Sequence, residues 1–218
     1  MTRKNKPKFP ADYKKEKAEE YDNLSWMERN QKKSTLLSIQ FLFDEKLDSN
    51  KNSLLEKDKS FLVLDLGCGT GFSSEVLVEN GFRVIGVDVL LDMLSKAREK
   101  KVLYQKFRNL DLVLADITFL PFRNNTMNFI ISISAYNFII QGRDNFLDKT
   151  KLLNNTAKSI KKILKKKGRI IIEFYPENEK ELNLFNKSFI NNGFEGFLVK
   201  NNPRQKSGQT FLLLKKKT

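Results

Sequence analysis

Three glycines, Gly67, Gly69 and Gly71, stand at every second position of LDLGCGTG (64–71), directly after the apolar run Phe61-Leu62-Val63-Leu64. A strand that ends in such a turn lets a ligand lie against bare backbone. Two ligand types use it: a dinucleotide pyrophosphate, or another adenosine-containing cofactor. The spacing is G-x-G-x-G rather than G-x-G-x-x-G, and no Lys-Ser or Lys-Thr follows, which weakens the phosphate readings. Two aspartates close later apolar runs, Asp88 in FRVIGVD and Asp116 in LDLVLAD. One cysteine, Cys68, and no histidine exclude an internal disulfide, a Cys/His zinc site and imidazole acid–base catalysis.

The elements that must position these residues alternate in type. FLVLDL, FRVIGVD, LDLVLAD, MNFIISISA and RIIIEFY read as strands. SSEVLVEN, LLDMLSKAREK and a run through Leu153, Ala157, Ile160 and Leu164 that stops at Gly168 read as helices. Such alternation predicts βαβ units and a parallel sheet. After Pro176 comes one more helix, about 179–191, then FEGFLVK and TFLLLK joined by the turn-rich NNPRQKSGQ. That ending predicts a hairpin, and with it an α/β fold: a seven-stranded, mostly parallel, doubly wound sheet with an antiparallel C-terminal hairpin. Residues 46–218 form this domain, opening on the polar connection KLDSNKNSLLEKDKS (46–60). Ahead of it, residues 1–45 read as a basic N-terminal arm, mobile over its first twenty or so residues, then a helix over 27–43. That helix packs on the core through Leu36, Ile39 and Phe43.

Taken in order, these motifs resemble the class I S-adenosylmethionine-dependent methyltransferases, whose fold is Rossmann-like. The resemblance implies S-adenosyl-L-methionine as cofactor, with the backbone of Gly67, Gly69 and Gly71 against its methionine and ribose portions. It implies further that Asp65 faces the α-amino group and Asp88 accepts both ribose hydroxyls. Asp116 would bind the adenine amino group, with Ile117 packed near the ring. A carboxylate suits a diol because it offers two acceptor oxygens in a fork, and it repels a phosphate. Each piece read alone is also an ordinary structural feature, a tight turn or a helix cap.

Enzymes that methylate exocyclic amines usually carry an Asn/Asp-Pro-Pro-aromatic motif after the fourth strand, and this chain has ISISAYNF there. No cysteine is placed for covalent attack on a pyrimidine. ISISAYNFI, IIEFYPENEKE and GFEGFLVKNNPRQKSGQTFLLL together resemble the small-subunit (18S-type) ribosomal RNA guanine-N7 methyltransferase family, from about Tyr21 to Leu214. That family usually has Gln-Trp where this chain has Asn137-Phe138, and a longer basic tail than Lys215-Lys216-Lys217. The resemblance implies methyl transfer to guanine N7 and a role in rRNA processing and ribosome biogenesis. Ser134, Tyr136, Asn137 and Tyr175 become candidates to position or stack the base, and Ser132 lines the passage from the cofactor. N7 carries an in-plane lone pair and no proton, so no general base is required. Methyltransferases acting on transfer RNA or a small molecule are the alternative, as is a ribosome-assembly factor whose RNA binding matters more than its catalysis.

Members of the resembled family are stabilised by a small zinc-binding activator protein at the edge of the third strand. Here that edge would expose Leu110, Leu112 and Leu114, so the same partner is expected. The net charge of +14 suits an RNA partner, although lysine outnumbers arginine 31 to 9, which a compositional drift would also produce. Lys158, Lys161, Lys162, Lys165 and Lys166 read as the solvated face of one helix. With no membrane-spanning run or apolar signal core, the expected location is cytoplasmic, or nuclear in a eukaryote.

Overall fold

Five parallel strands, β1 (Leu62–Leu66), β2 (Arg83–Asp88), β3 (Leu110–Leu114), β4 (Met127–Ile133) and β5 (Leu164–Phe174), carry the centre of a computed structural model that describes residues 8–47, 60–201 and 209–217. Helices α3 (Phe72–Glu79), α4 (Leu91–Leu103) and α5 (Phe146–Ile163) return the chain between strands, and α6 (Glu179–Ile190) leads to β6 (Phe194–Lys200) and β7 (Thr210–Lys216). The sheet order is β3-β2-β1-β4-β5-β7-β6, with β7 antiparallel to both neighbours. Strand order reverses between β1 and β4, and a crevice opens at such a switch point, outside the carboxyl ends of the strands.

Alternation along the strands splits the core in two. Leu64, Leu66, Ile130, Ile170 and Ile172 face α5 and α6, where Phe185 and Phe189 meet them. Val63, Phe129, Ile131, Ile171 and Leu213 face the opposite layer, where Leu42, Leu77 and Val78 cover them. Because both faces are covered, the central strands are apolar throughout rather than alternating in polarity.

Several expectations need correction. The arm is not a free tail over its described part: α1 (Glu16–Asp22) follows a short turn at Ala11–Tyr13, Lys100 pairs with Asp22, and the Lys15 amide donates to Asp92 Oδ2 at 2.9 Å. Helix α2 (Ser25–Leu42) is present, but it buries Ser34, Thr35, Ser38 and Leu42 while Leu36 and Phe43 stay exposed. Its buried face is small and partly polar because it lies against α3 and over a buried carboxylate of β5. α5 ends at Ile163, and Leu164 already pairs with Met127 as the first residue of β5. Residues 48–59 of the polar connection and 202–208 of the hairpin turn lie outside the described residues, although pairing of Lys200 with Thr210 closes the hairpin. β3 is an edge strand as expected, yet Leu110 is fully buried and Leu112 packs beside it against the same core, so that only Leu114 of the three is exposed.

Candidate functional site

A cavity of about 570 Å³ opens over the carboxyl ends of β1, β2 and β4. The turn after β1 forms its floor. Gly67 and Gly69 line it with φ of 73° and 55°, left-handed values that a side chain tolerates poorly. A Cβ on Gly67 would collide with that of Ala135, so the turn and the segment after β4 meet only because no side chain intervenes.

The amides of this turn are already committed. Gly67 and Cys68 donate to the Val87 carbonyl at 2.8 and 3.0 Å, Gly69 to Asp88 Oδ2 at 2.9 Å, and Gly71 to the Cys68 carbonyl at 2.9 Å. A phosphate-binding turn needs those N–H groups free to point at the ligand. This one has its amides satisfied and presents a carboxylate beside them. Asp88 is 9% exposed and lines the cavity, its other oxygen accepting from the Leu90 amide at 2.9 Å. Burial pushes its carboxyl above the ordinary range, against the lowering effect of the Leu90, Gly69 and Val89 amides. Asp116 and Ile117 line the cavity beyond it, with Asp116 Oδ1 accepting from the amide and hydroxyl of Thr118, each at 2.8 Å.

Other sequence candidates fall elsewhere. Gly71 turns away from the cavity and lets α4 approach, a Cβ there standing 3.3 Å from that of Ala97. Asp65 is fully buried behind the turn rather than facing the cavity; Ser73 and Ser74 both donate to its Oδ2 at 2.6 Å, and its Oδ1 has no partner. Burial raises its pKa to about 6. The Ser132 hydroxyl donates to the Leu66 carbonyl at 2.9 Å, tying β4 to β1, and does not reach the cavity. Tyr136 is no base-stacking residue here: it is fully buried, its ring packed against Phe185 and Phe189 on the helix side of the sheet. Asn137 acts on its neighbour, its amide bracketing the backbone of Tyr175 with two hydrogen bonds of 3.1 Å. Ser134 and Tyr175 do line the cavity, Ser134 with φ of 55°.

Sequence reasoning passed over the residue that joins them. Glu173, fully buried near the end of β5, accepts from Ser134 Oγ at 2.7 Å, Ser34 Oγ at 2.8 Å, Gln209 Nε2 at 2.8 Å and Tyr175 Oη at 3.0 Å. One carboxylate thus ties α2, the segment after β4, the end of β5 and the hairpin to each other. The signal was a glutamate inside the apolar run RIIIEF, since a charge there must have partners. The N-terminal segment was missed too. Phe9 stacks on Phe138 with centroids 5.0 Å apart, Tyr13 meets both, and Tyr21, Met27 and Gln31 complete a wall over the glycines.

A doubly wound sheet of this order, with an amide-satisfied glycine turn and a strand-end carboxylate in one cavity, defines the class I methyltransferase domain. Comparison with known proteins agrees: the methyltransferase domain family matches residues 64–172, and the chain belongs to that family. A solved S-adenosylmethionine-dependent methyltransferase from Clostridium acetobutylicum superposes with a TM-score of 0.66 at 17% identity, over 92% of this chain and 98% of that one. Among curated proteins, the chain is similar to the 18S rRNA (guanine-N(7))-methyltransferase of Schizosaccharomyces pombe, 30% identical over 84% of this chain and 66% of that protein. It is also similar to the 18S rRNA (guanine(1575)-N(7))-methyltransferase of Saccharomyces cerevisiae, 31% identical over 70% of this chain and 54% of that protein. The chain therefore spans about half to two thirds of the length of these relatives.

Proposed function

We propose that this chain transfers a methyl group from S-adenosyl-L-methionine to N7 of a guanine in small-subunit ribosomal RNA, and so acts in ribosome biogenesis. The observation that carries the cofactor is the pairing of a glycine turn whose amides are spent with Asp88 in the same cavity. That arrangement repels phosphate and suits a ribose diol on a cationic ligand. When bound, the cofactor supplies an electrophilic methyl on a sulfonium. Gly67 and Gly69 give it bare backbone, Asp88 holds its ribose, and Asp116 with Ile117 takes the adenine.

The nucleophile follows from what the cavity lacks. The chain has no histidine, and the free lone pairs of Asp88 are committed to the cofactor's ribose. Tyr175 donates its proton to Glu173, and burial first, then the Glu173 charge, raises its pKa to about 12. Tyr175 is thus no base at neutral pH, Asp88 is assigned to the ribose, and guanine N7 needs no base. What it needs is alignment with the methyl at near-attack distance. Ser134 and Tyr175 stand at the cavity wall for that purpose, and because both hydroxyls donate inward to Glu173 they present acceptor lone pairs to the base. Asn137 positions Tyr175. The similarity to the two guanine-N7 methyltransferases supports the same substrate.

The proposal includes a small zinc-binding activator protein on the β3 edge. Its support is the unpaired side of β3 with Leu114 55% exposed, and beside it the end of α4, where Val102 and Leu103 are 78% and 71% exposed. Among the described residues no helix is long and apolar enough to cross a membrane. The working compartment is then the cytoplasm or nucleus, where small subunits are assembled. The test is methyl transfer in vitro: the chain, with a coexpressed activator, is given labelled cofactor and small-subunit RNA, and the RNA is digested to nucleosides. Label in N7-methylguanosine is expected; label confined to another nucleoside, or to transfer RNA supplied in parallel, would overturn the substrate.

A further inference from the structure

From Lys149 to Ile172 the sequence contains no acidic residue, and within that stretch Lys158, Lys161, Lys162, Lys165, Lys166 and Lys167 crowd into a single run of chain. The fold gathers these with a second group. α5 ends and β5 begins at the amino edge of the sheet, opposite the cavity, and β7 returns to that edge antiparallel, pairing Lys215 with Arg169 and Lys216 with Phe194. Local contacts knit the two groups together. Lys216 Nζ donates to Asn125 Oδ1 at 3.4 Å, the Asn125 amide donates to the Lys162 carbonyl at 2.9 Å, and the Lys217 amide donates to the Gly193 carbonyl at 3.0 Å. Lys161 lies across Gly193, close to Lys216; partial burial, and then the Lys161 charge, hold the Lys216 ammonium below its usual range. Lys158, Lys162, Lys166 and Lys217 are exposed.

Lys215 pairs with Glu195 at 3.2 Å, yet the lysines of this surface outnumber that acid; like charges in such excess repel, and an external polyanion relieves that repulsion while releasing its condensed counterions. We propose that this lysine surface is a second contact site, one that grips the phosphate backbone of structured RNA at the end of the molecule opposite the methyl-transfer cavity. The proposal rests on the RNA reading of the substrate. β5 runs from one site towards the other, and its eleven residues span about 35 Å. A flipped base and its immediate neighbours cannot reach both, whereas a folded RNA domain can. Lysine rather than arginine suits the role, because a point charge holds a phosphate without reading a base.

The experiment compares two triple variants of the full chain with any activator it requires. One carries Lys158→Gln, Lys162→Gln and Lys166→Gln; the other, with the same loss of charge, carries Lys33→Gln, Arg98→Gln and Arg108→Gln on exposed positions of α2, α4 and the segment before β3. Affinity for a folded small-subunit RNA fragment is measured against salt. For the lysine variant the slope of log K against log salt should fall by about 2, which at 0.1 M salt is about a hundredfold in affinity. Its affinity for the cofactor and for a short single-stranded oligonucleotide should stay unchanged, and the control triple should lose much less. Equal losses in the two triples, or an unchanged slope in the first, would overturn the proposal. If the wild-type chain transfers no methyl to RNA yet shows the salt-dependent binding that only the lysine variant loses, the surface stands and the catalytic reading falls.

Discussion

Asp65 carries a charge that the fold does not support, and its replacement by asparagine should show it. The carboxyl is fully buried, receives two hydroxyls on Oδ2 and nothing on Oδ1, and has a pKa raised by burial from 3.8 to about 6. The folded protein therefore holds this proton more tightly than the unfolded chain. The stability it contributes is fully present below about pH 4 and is lost as pH rises through about 6. At about 1.4 kcal/mol per pH unit, ionised Asp65 is a liability of about 3 kcal/mol at pH 8. An asparagine side chain would stay neutral at every pH, keep an acceptor for Ser73 and Ser74, and place its amide nitrogen where Oδ1 has no partner, at a penalty of about 1–2 kcal/mol. Asp65→Asn should then be more stable than the wild type by about 1–2 kcal/mol at pH 8, or about 4 °C in melting temperature, and less stable by a similar amount at pH 4. Thermal or urea denaturation of the cofactor-free protein at the two pH values reads this directly. A difference between the two proteins that does not change with pH would refute the reasoning.

Asp88→Ala should weaken cofactor binding by roughly a hundredfold or more, the loss of two hydrogen bonds to a charged acceptor, measured by calorimetry; binding within threefold of wild type would remove Asp88 from the site. Gly67→Ala should lose cofactor binding and about 2–4 kcal/mol of stability, because a left-handed backbone and the Ala135 side chain both oppose the new methyl; an unaltered melting temperature would contradict this. Glu173→Leu should destabilise the fold by about 3–5 kcal/mol by stranding donors from four segments, and Glu173→Gln should recover much of the loss in a denaturation experiment; a Leu variant as stable as the Gln variant would show that the carboxylate organises nothing.

Part of the cavity wall, Gly67, Gly69, Asp88, Asp116 and Ile117, is legible because these residues lie in short runs, whereas Asp65, Gly71 and Ser132, also in such runs, fall outside it. LDLGCGTG, FRVIGVD and LDLVLAD each place one residue at the end of a parallel strand, and the sheet brings strand ends together whatever the rest of the chain does. The seven strands were legible for the same reason, through apolar runs punctuated by turns. The substrate side was harder, because its residues meet only through long-range packing. Tyr136 and Tyr175 look alike as aromatics just past strands, yet the short turn after Ala135 drives Tyr136 into the helix side of the core while Tyr175 stays half-exposed at the cavity wall. Glu173 draws its four donors from positions 34, 134, 175 and 209, which no local pattern links. In α2 the sequence pattern points to Leu36, Ile39 and Phe43 as the packed face, whereas close packing buries Ser34, Thr35, Ser38 and Leu42. At β3 the three leucines share one face of the strand, and that face is covered at Leu110, partly covered at Leu112 and open at Leu114, so only its carboxyl end is exposed.

The central claim is that this chain places a methyl group on guanine N7 in small-subunit ribosomal RNA through a cofactor held by Asp88. Mapping N7-methylguanosine by borohydride–aniline cleavage of that RNA, from cells carrying the intact gene, no gene, or an Asp88→Ala allele, tests it most directly. The account predicts one cleavage site that is present with the intact gene and absent in the other two. An identical cleavage pattern in all three strains would contradict it.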